Sequence, residues 1–193
     1  MGLDMYLKRG KKIPKRSFKD IKKLEDLLSD NDELIAEEYK DYIFECGEHF
    51  HWNSFFQEIV YWRKANQIHQ WFVDNVQNGI DDCNYYEVSK EQIEELKELC
   101  EEVIEKSVLK EGKIKNGRTY QNNNWEDIIE DGKVIINPEI AQELLPTAEG
   151  FFFGSTDYDE YYYEDLVYTI KKLKKVLDTF DFENEYLVYT SSW

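Results

Sequence analysis

The sequence predicts an α+β fold, on three observations. Apolar and polar residues alternate at the start of the chain, Leu3, Met5 and Leu7 against Asp4, Tyr6 and Lys8, and the finish, Leu187 to Ser191, reads the same way; a period of two is that of a half-buried strand. Between them lie stretches with apolar residues at three- and four-residue spacing, opened by capping pairs such as Ser89 with Gln92. Strands this short need partners. The expected architecture is therefore a single domain, 1–193, with a small, mainly antiparallel sheet that includes both termini, packed with about five helices.

Taken in order, Leu3 to Lys8 is the first strand and Lys11 to Arg16 the loop after it. Ser17, with Asp20 reciprocating, caps a helix to about Leu28 that carries Ile21, Leu24, Leu27 and Leu28 at three- and four-residue spacing. Glu33 to Glu45 begins as a helix, and periodicity leaves Asp41 to Cys46 open between helix and strand. The aromatic run Phe50 to Phe56 leads into a central helix expected from about Phe55 to Val76, closed by Asn78-Gly79 in left-handed conformation. Tyr85 to Val88 reads as a strand, and Ser89 opens a helix to about Lys106 with Ile93, Leu96, Leu99 or Cys100, and Val103 inside. The stretch 109–132 reads as an excursion from the core, with a hairpin turn at Asn116-Gly117. Val134 to Ile136 is a short strand, and Pro138 starts a helix that Pro146 stops. Gly150 to Gly154 reads as a buried strand pairing in the sheet, and Asp157 with Glu160 caps a helix to about Phe180. Its later turns hold Lys171, Lys172, Lys174 and Lys175, as the helix dipole prefers.

Charge narrows the partners. The net charge is −17, yet Lys8 to Lys23 holds nine basic residues against the single acid Asp20. Such a field repels nucleic acid from most of the surface, so direct nucleic-acid binding is not expected, although a basic strip could hold a phosphate. A strongly acidic chain also fits a DNA mimic or an inhibitor that clamps a basic host protein. Cys46, Cys83 and Cys100 form no C-x-x-C pair, and no apolar run reaches the roughly 20 residues of a membrane span. A cytoplasmic protein without membrane contact is expected; self-association stays open.

The candidate site lies on Tyr61 to Gly79. At 100° per residue Tyr61, Trp62, Ile68, His69, Phe72 and Val76 fall on one apolar arc, bordered by Arg63, Asn66, Gln70 and Gln77. Amides, a guanidinium and an imidazole beside an apolar stripe are the chemistry of a binding surface, and Tyr61 to Phe72 contains no Asp or Glu. Trp62, Arg63, Asn66, His69 and Gln70, with Tyr158 and Trp193 as further rings, are the expected ligand-binding residues for a small anionic or nucleotide-like ligand. No catalytic residues, metal or cofactor are assigned. The acids at 157–165 lack the glycine of a calcium loop, and no serine or cysteine has a nucleophile's context. The alternative kept is a small nucleotide-processing enzyme using His69 with Asp157 and Asp159.

The blocks MGLDMYL, YWRKANQIHQWFVDNVQNG with the following IDDC, LPT with GFFFGSTDYDE, and the final YTSSW together resemble a family of uncharacterised small proteins of phages and prophage-bearing bacteria. Members often carry a phosphoglycerate kinase label. That enzyme needs two large nucleotide-binding lobes, and this chain has neither the length nor a phosphate loop, so no such activity is expected. The excursion at 109–132 departs from the shorter linker the resemblance implies.

Overall fold

A computed structural model describes residues 2–29, 33–47, 52–121, 123–150 and 153–193. In chain order its elements are β1 (Asp4–Lys11), α1 (Phe18–Ser29), α2 (Glu33–Glu38), β2 (Phe44–Cys46), β3 (Trp52–Ser54), β4 (Phe56–Arg63), α3 (Asn66–Asn75), β5 (Tyr86–Glu87), α4 (Lys90–Lys106), β6 (Leu109–Gln121), β7 (Asn124–Ile135), α5 (Glu139–Leu144), α6 (Glu160–Thr179) and β8 (Glu185–Ser192). The α+β single domain is as the sequence predicts. The main sheet has the order β4-β1-β8-β5, antiparallel throughout.

Alternation at the two ends has the expected result. Asp4 lies opposite Ser192 and Lys11 opposite Glu185, so β1 and β8 form the centre of the sheet. Successive residues of β8 face opposite sides. Leu187 and Tyr189 join Leu3, Met5, Leu7, Val60 and Trp62 in the main core, closed by Ile68 and Phe72 of α3, Leu96 of α4 and Leu173 of α6. Val188 instead meets Phe56 and the Ile21, Leu24 and Leu28 face of α1 in a second core. The rings of Phe72 and Tyr189 stack face to face, 3.9 Å between centroids; such pairs add about 0.5–1.5 kcal/mol to their area burial.

The central helix expected from Phe55 onward is a correction. Phe56–Arg63 is an edge strand on β1, and only Asn66–Asn75 is helical. Val60 and Trp62 are buried while Gln57, Ile59 and Tyr61 are only half-buried, a period of two that a helical projection hides. Lys64, in left-handed conformation at φ 62, turns the chain between the two elements. This strand occupies the place expected for Gly150 to Gly154. Gly150, Phe153 and Gly154 belong to irregular chain, and the rest of that segment lies outside the described residues. Gly154 has φ 103 and approaches the Lys64 carbonyl so closely that a Cβ there would be 3.1 Å from it, which is why glycine suits it.

Three smaller differences follow from capping and turns. Helix α6 is capped by Asp159, which accepts from the N–H groups of Tyr161 and Tyr162, and not by Asp157. Helix α4 keeps the expected Ser89 and Gln92 capping box, with Cys100 as its third buried position. The excursion is a long hairpin, β6 with β7, in which Asn116-Gly117 forms a bulge between Lys115 and Arg118; the strands reverse near Asn123 instead. Its root is fixed by the buried Ile114 and by Tyr158, whose carbonyl accepts from Ile135 N–H. Beyond that root the Lys115 and Arg118 pairs with Asp127 and the Tyr120 and Trp125 ring contact are all internal to the hairpin.

Candidate functional site

The residues expected to bind ligand are placed by two elements, and most of them turn inward. Asn66, 1% exposed, donates through Nδ2 to the carbonyls of Phe153 (3.2 Å) and Ser155 (2.8 Å) and accepts from Ala148 N–H at 3.0 Å. It ties Ala148, Phe153 and Ser155 to α3. His69 is equally buried, with Nδ1 2.7 Å from the Tyr189 hydroxyl and Nε2 3.1 Å from Asp81 Oδ1. Burial lowers its pKa, against the pull of Asp81. A carboxylate only accepts, so a neutral His69 carries its proton on Nε2 and accepts from Tyr189, whose hydroxyl burial holds well above its ordinary range. The Asp-His-Tyr chain has the outline of a proton relay, but its far end is sealed in the core.

Trp62 donates from Nε1 to Thr169 Oγ1 at 2.9 Å, deep between β4 and α6. Arg63 is on the surface and held by Asp4 at 2.7 Å, while Gln70 donates to Asp74 one turn on. The Tyr158 hydroxyl accepts from Thr147 N–H, and Trp193 donates to Asp81 at 3.1 Å with its ring edge-on to Phe153. The structure thus brings Asn66, His69 and Trp193 together around Phe153 and Asp81, and leaves Arg63, Gln70 and Tyr158 elsewhere. Of the acids kept for catalysis, Asp159 is the buried cap of α6 and Asp157 bonds Ser155. Among the described residues no group of three metal-ligating side chains occurs, and no helix is long and apolar enough to cross a membrane.

The N-terminal basic strip is also engaged internally. Lys11 donates to the Asp41 carbonyl, Lys12 to those of Phe182 and Glu183, Lys22 to that of Tyr85, and Arg16 to the Tyr39 hydroxyl. These cations fasten α1 and neighbouring loops to the sheet. The acids of α4 are interleaved with lysines, in pairs Lys90 with Glu94, Lys97 with Glu101 and Lys106 with Glu102, the pattern of a solvated helix face.

The lysines of α6 differ. None of Lys171, Lys172 and Lys175 has an acid four residues away, and among the described residues none enters an ion pair; Lys172 lies 5.1 Å from the Tyr168 ring. Lys172 and Lys175 border a groove of about 370 Å³ between β4 and the second half of α6, lined on the strand side by residues 57–60 and Arg9 and closed by Val176 and Phe180. Arg9 is held by Glu185, whose Oε2 is buried without a hydrogen-bond partner, and Glu58 is the one acid lining the groove. A second cleft of about 430 Å³ on the other flank of α6 balances Lys133 and Lys171 against Glu160 and Glu164. Unbalanced positive charge therefore belongs to the first groove.

Comparison with family models, curated proteins and solved structures finds no match to this chain. Of the groove residues, Arg9 belongs to the basic strip that could hold a phosphate, whereas Gln57, Lys172 and Lys175 are not expected at a site from the sequence. The signal for the two lysines was the missing i,i+4 acids on α6, which α4 supplies for its own lysines.

Proposed function

We propose that this chain is a non-enzymatic binding protein that holds an anionic ligand in the groove between β4 and α6. The observation that carries this reading is the pair of unpaired ammonium groups, Lys172 and Lys175, beside the Arg9 guanidinium in a protein of net charge −17. An acidic protein repels anions at long range, so one binds only where cations are concentrated and free of internal partners. The groove supplies donors of two kinds, ammonium and the Gln57 amide, and an apolar wall at Val176 and Phe180.

Calorimetric titration with inorganic phosphate, ATP and a polyglutamate peptide tests this. At least one of the three should bind with an affinity that falls as salt rises. The double variant Lys172→Glu/Lys175→Glu should weaken that binding tenfold or more, as loss of charge-assisted hydrogen bonds requires, while its thermal unfolding stays unchanged. Silence toward all three anions, or binding indifferent to the double variant, would sink the proposal.

A further inference from the structure

The groove is walled on one side by a strand with an unpaired edge. In the order β4-β1-β8-β5 the strand β4 is at the edge of the sheet, and among the described residues no strand pairs with its outer side. That edge is closed at both ends by side chains in the role a neighbouring strand would play. At one end the Ser54 hydroxyl accepts from Phe56 N–H (3.0 Å), and its one proton lies between the Phe56 carbonyl (2.9 Å) and Glu25 Oε1 (2.7 Å). At the other the Tyr168 hydroxyl donates to the Tyr61 carbonyl at 2.8 Å. Between these stops lie residues 57–60, the four that line the groove, a window of about 13 Å at the rise of a strand.

The register within that window is broken. Val60 is opposite Leu7 and Glu58 opposite Lys8, so Ile59 is an extra residue in a bulge. A bulge and flanking charges keep an edge from pairing indiscriminately; here Glu58 lies within the window, and Lys172, Lys175 and the Glu185-held Arg9 lie beside it, so the cations outnumber the one groove acid. Resting on the reading of the groove as an anion site, we infer that its anion is the side chain of an extended acidic peptide from a partner protein, which adds to β4 as a fifth strand. Main-chain hydrogen bonds to those backbone groups of residues 57–60 that point away from β1 hold the peptide, and its alternate side chains read α6. Carboxylates two residues apart on one face of the peptide reach Lys172 and Lys175, and the remaining side chains face away from the helix. A small phosphate would use the lysines and leave the backbone window empty.

The test uses the full chain and a capped octapeptide alternating Glu and Val, its copy N-methylated at alternate residues, inorganic phosphate and ATP. Fluorescence anisotropy should show the octapeptide binding and the N-methylated copy binding at least tenfold more weakly. Hydrogen exchange should show new protection confined to residues 57–60. Binding of phosphate or ATP without the octapeptide, or equal affinity for both peptides, overturns strand addition and leaves the anion site standing. Binding of none of the four probes overturns both. Octapeptide binding that survives Lys172→Glu/Lys175→Glu places the peptide outside the groove and overturns strand addition, while the phosphate and ATP arms decide the anion site.

Discussion

Two polar regions of this protein, the network on α3 and the groove beside α6, have opposite fates. On α3 the donors and acceptors of Asn66 and both nitrogens of His69 meet partners within the protein, all but Asp81 drawn from chain far away in sequence. On α6 the ammonium groups of Lys172 and Lys175 enter no ion pair among the described residues, although they border the groove that Glu58 also lines. A buried polar side chain costs stability unless it is satisfied, so the α3 residues are recruited to hold loops in place. An exposed lysine carries no such cost, and its charge stays available to something outside the protein.

The comparison breaks most visibly at Asn66. Asn66→Ala removes three hydrogen bonds and leaves the carbonyl of Phe153 and the N–H of Ala148 without their partner, so unfolding in denaturant should register a loss of about 3–5 kcal/mol. Should that variant keep its stability and lose anion binding instead, the roles assigned to α3 and α6 are reversed.

Asp165 sharpens the same contrast through pH. Burial raises its carboxyl to about 6, with the Gln67 amide pulling the other way. The folded state therefore holds this proton more tightly than the unfolded chain, and the stability it contributes is full below about pH 4 and lost as pH rises through 6. Asp165→Asn should accordingly stabilise the protein by up to about 3 kcal/mol at pH 8 and by close to nothing at pH 4. Thermal melts at the two values decide it, and an equal effect at both would show that the carboxyl titrates normally.

The smallest effect belongs to Arg63, on the surface with Asp4. An exposed ion pair contributes under about 1 kcal/mol, so Arg63→Ala should barely shift the melt and should leave anion affinity where it was. A tenfold drop in affinity would return the ligand to the side of the molecule that the sequence indicated.

Local signals were the legible part of this fold. The Ser89 capping box fixes the start of α4 because its hydrogen bonds span three residues, and alternation at Leu3 to Leu7 fixes the central strand because its buried face needs only itself to be read. The junction of β4 and α3 was illegible for the converse reason. Tyr61 and Trp62 are as compatible with an apolar helical arc as with a strand, and the choice is made by β1, some 55 residues earlier. The site suffered from the same limit. Sequence shows that Asn66 and His69 carry donors and acceptors, but their partners at Ala148, Phe153 and Tyr189 stand 82, 87 and 120 residues away. The free lysines of α6 were readable in principle, since an acid four residues off is a local matter.

The pairing of β1 with β8 joins Asp4 to Ser192, nearly the widest separation the chain allows, and it runs through the middle of the sheet. Closing so long a loop costs entropy before any contact rewards it. Helix α4 and the β6–β7 hairpin, by contrast, are built from neighbours in sequence and form on the timescale of local structure. The main core, which takes Leu187 and Tyr189 from the last strand, is therefore complete only once β8 stands between β1 and β5.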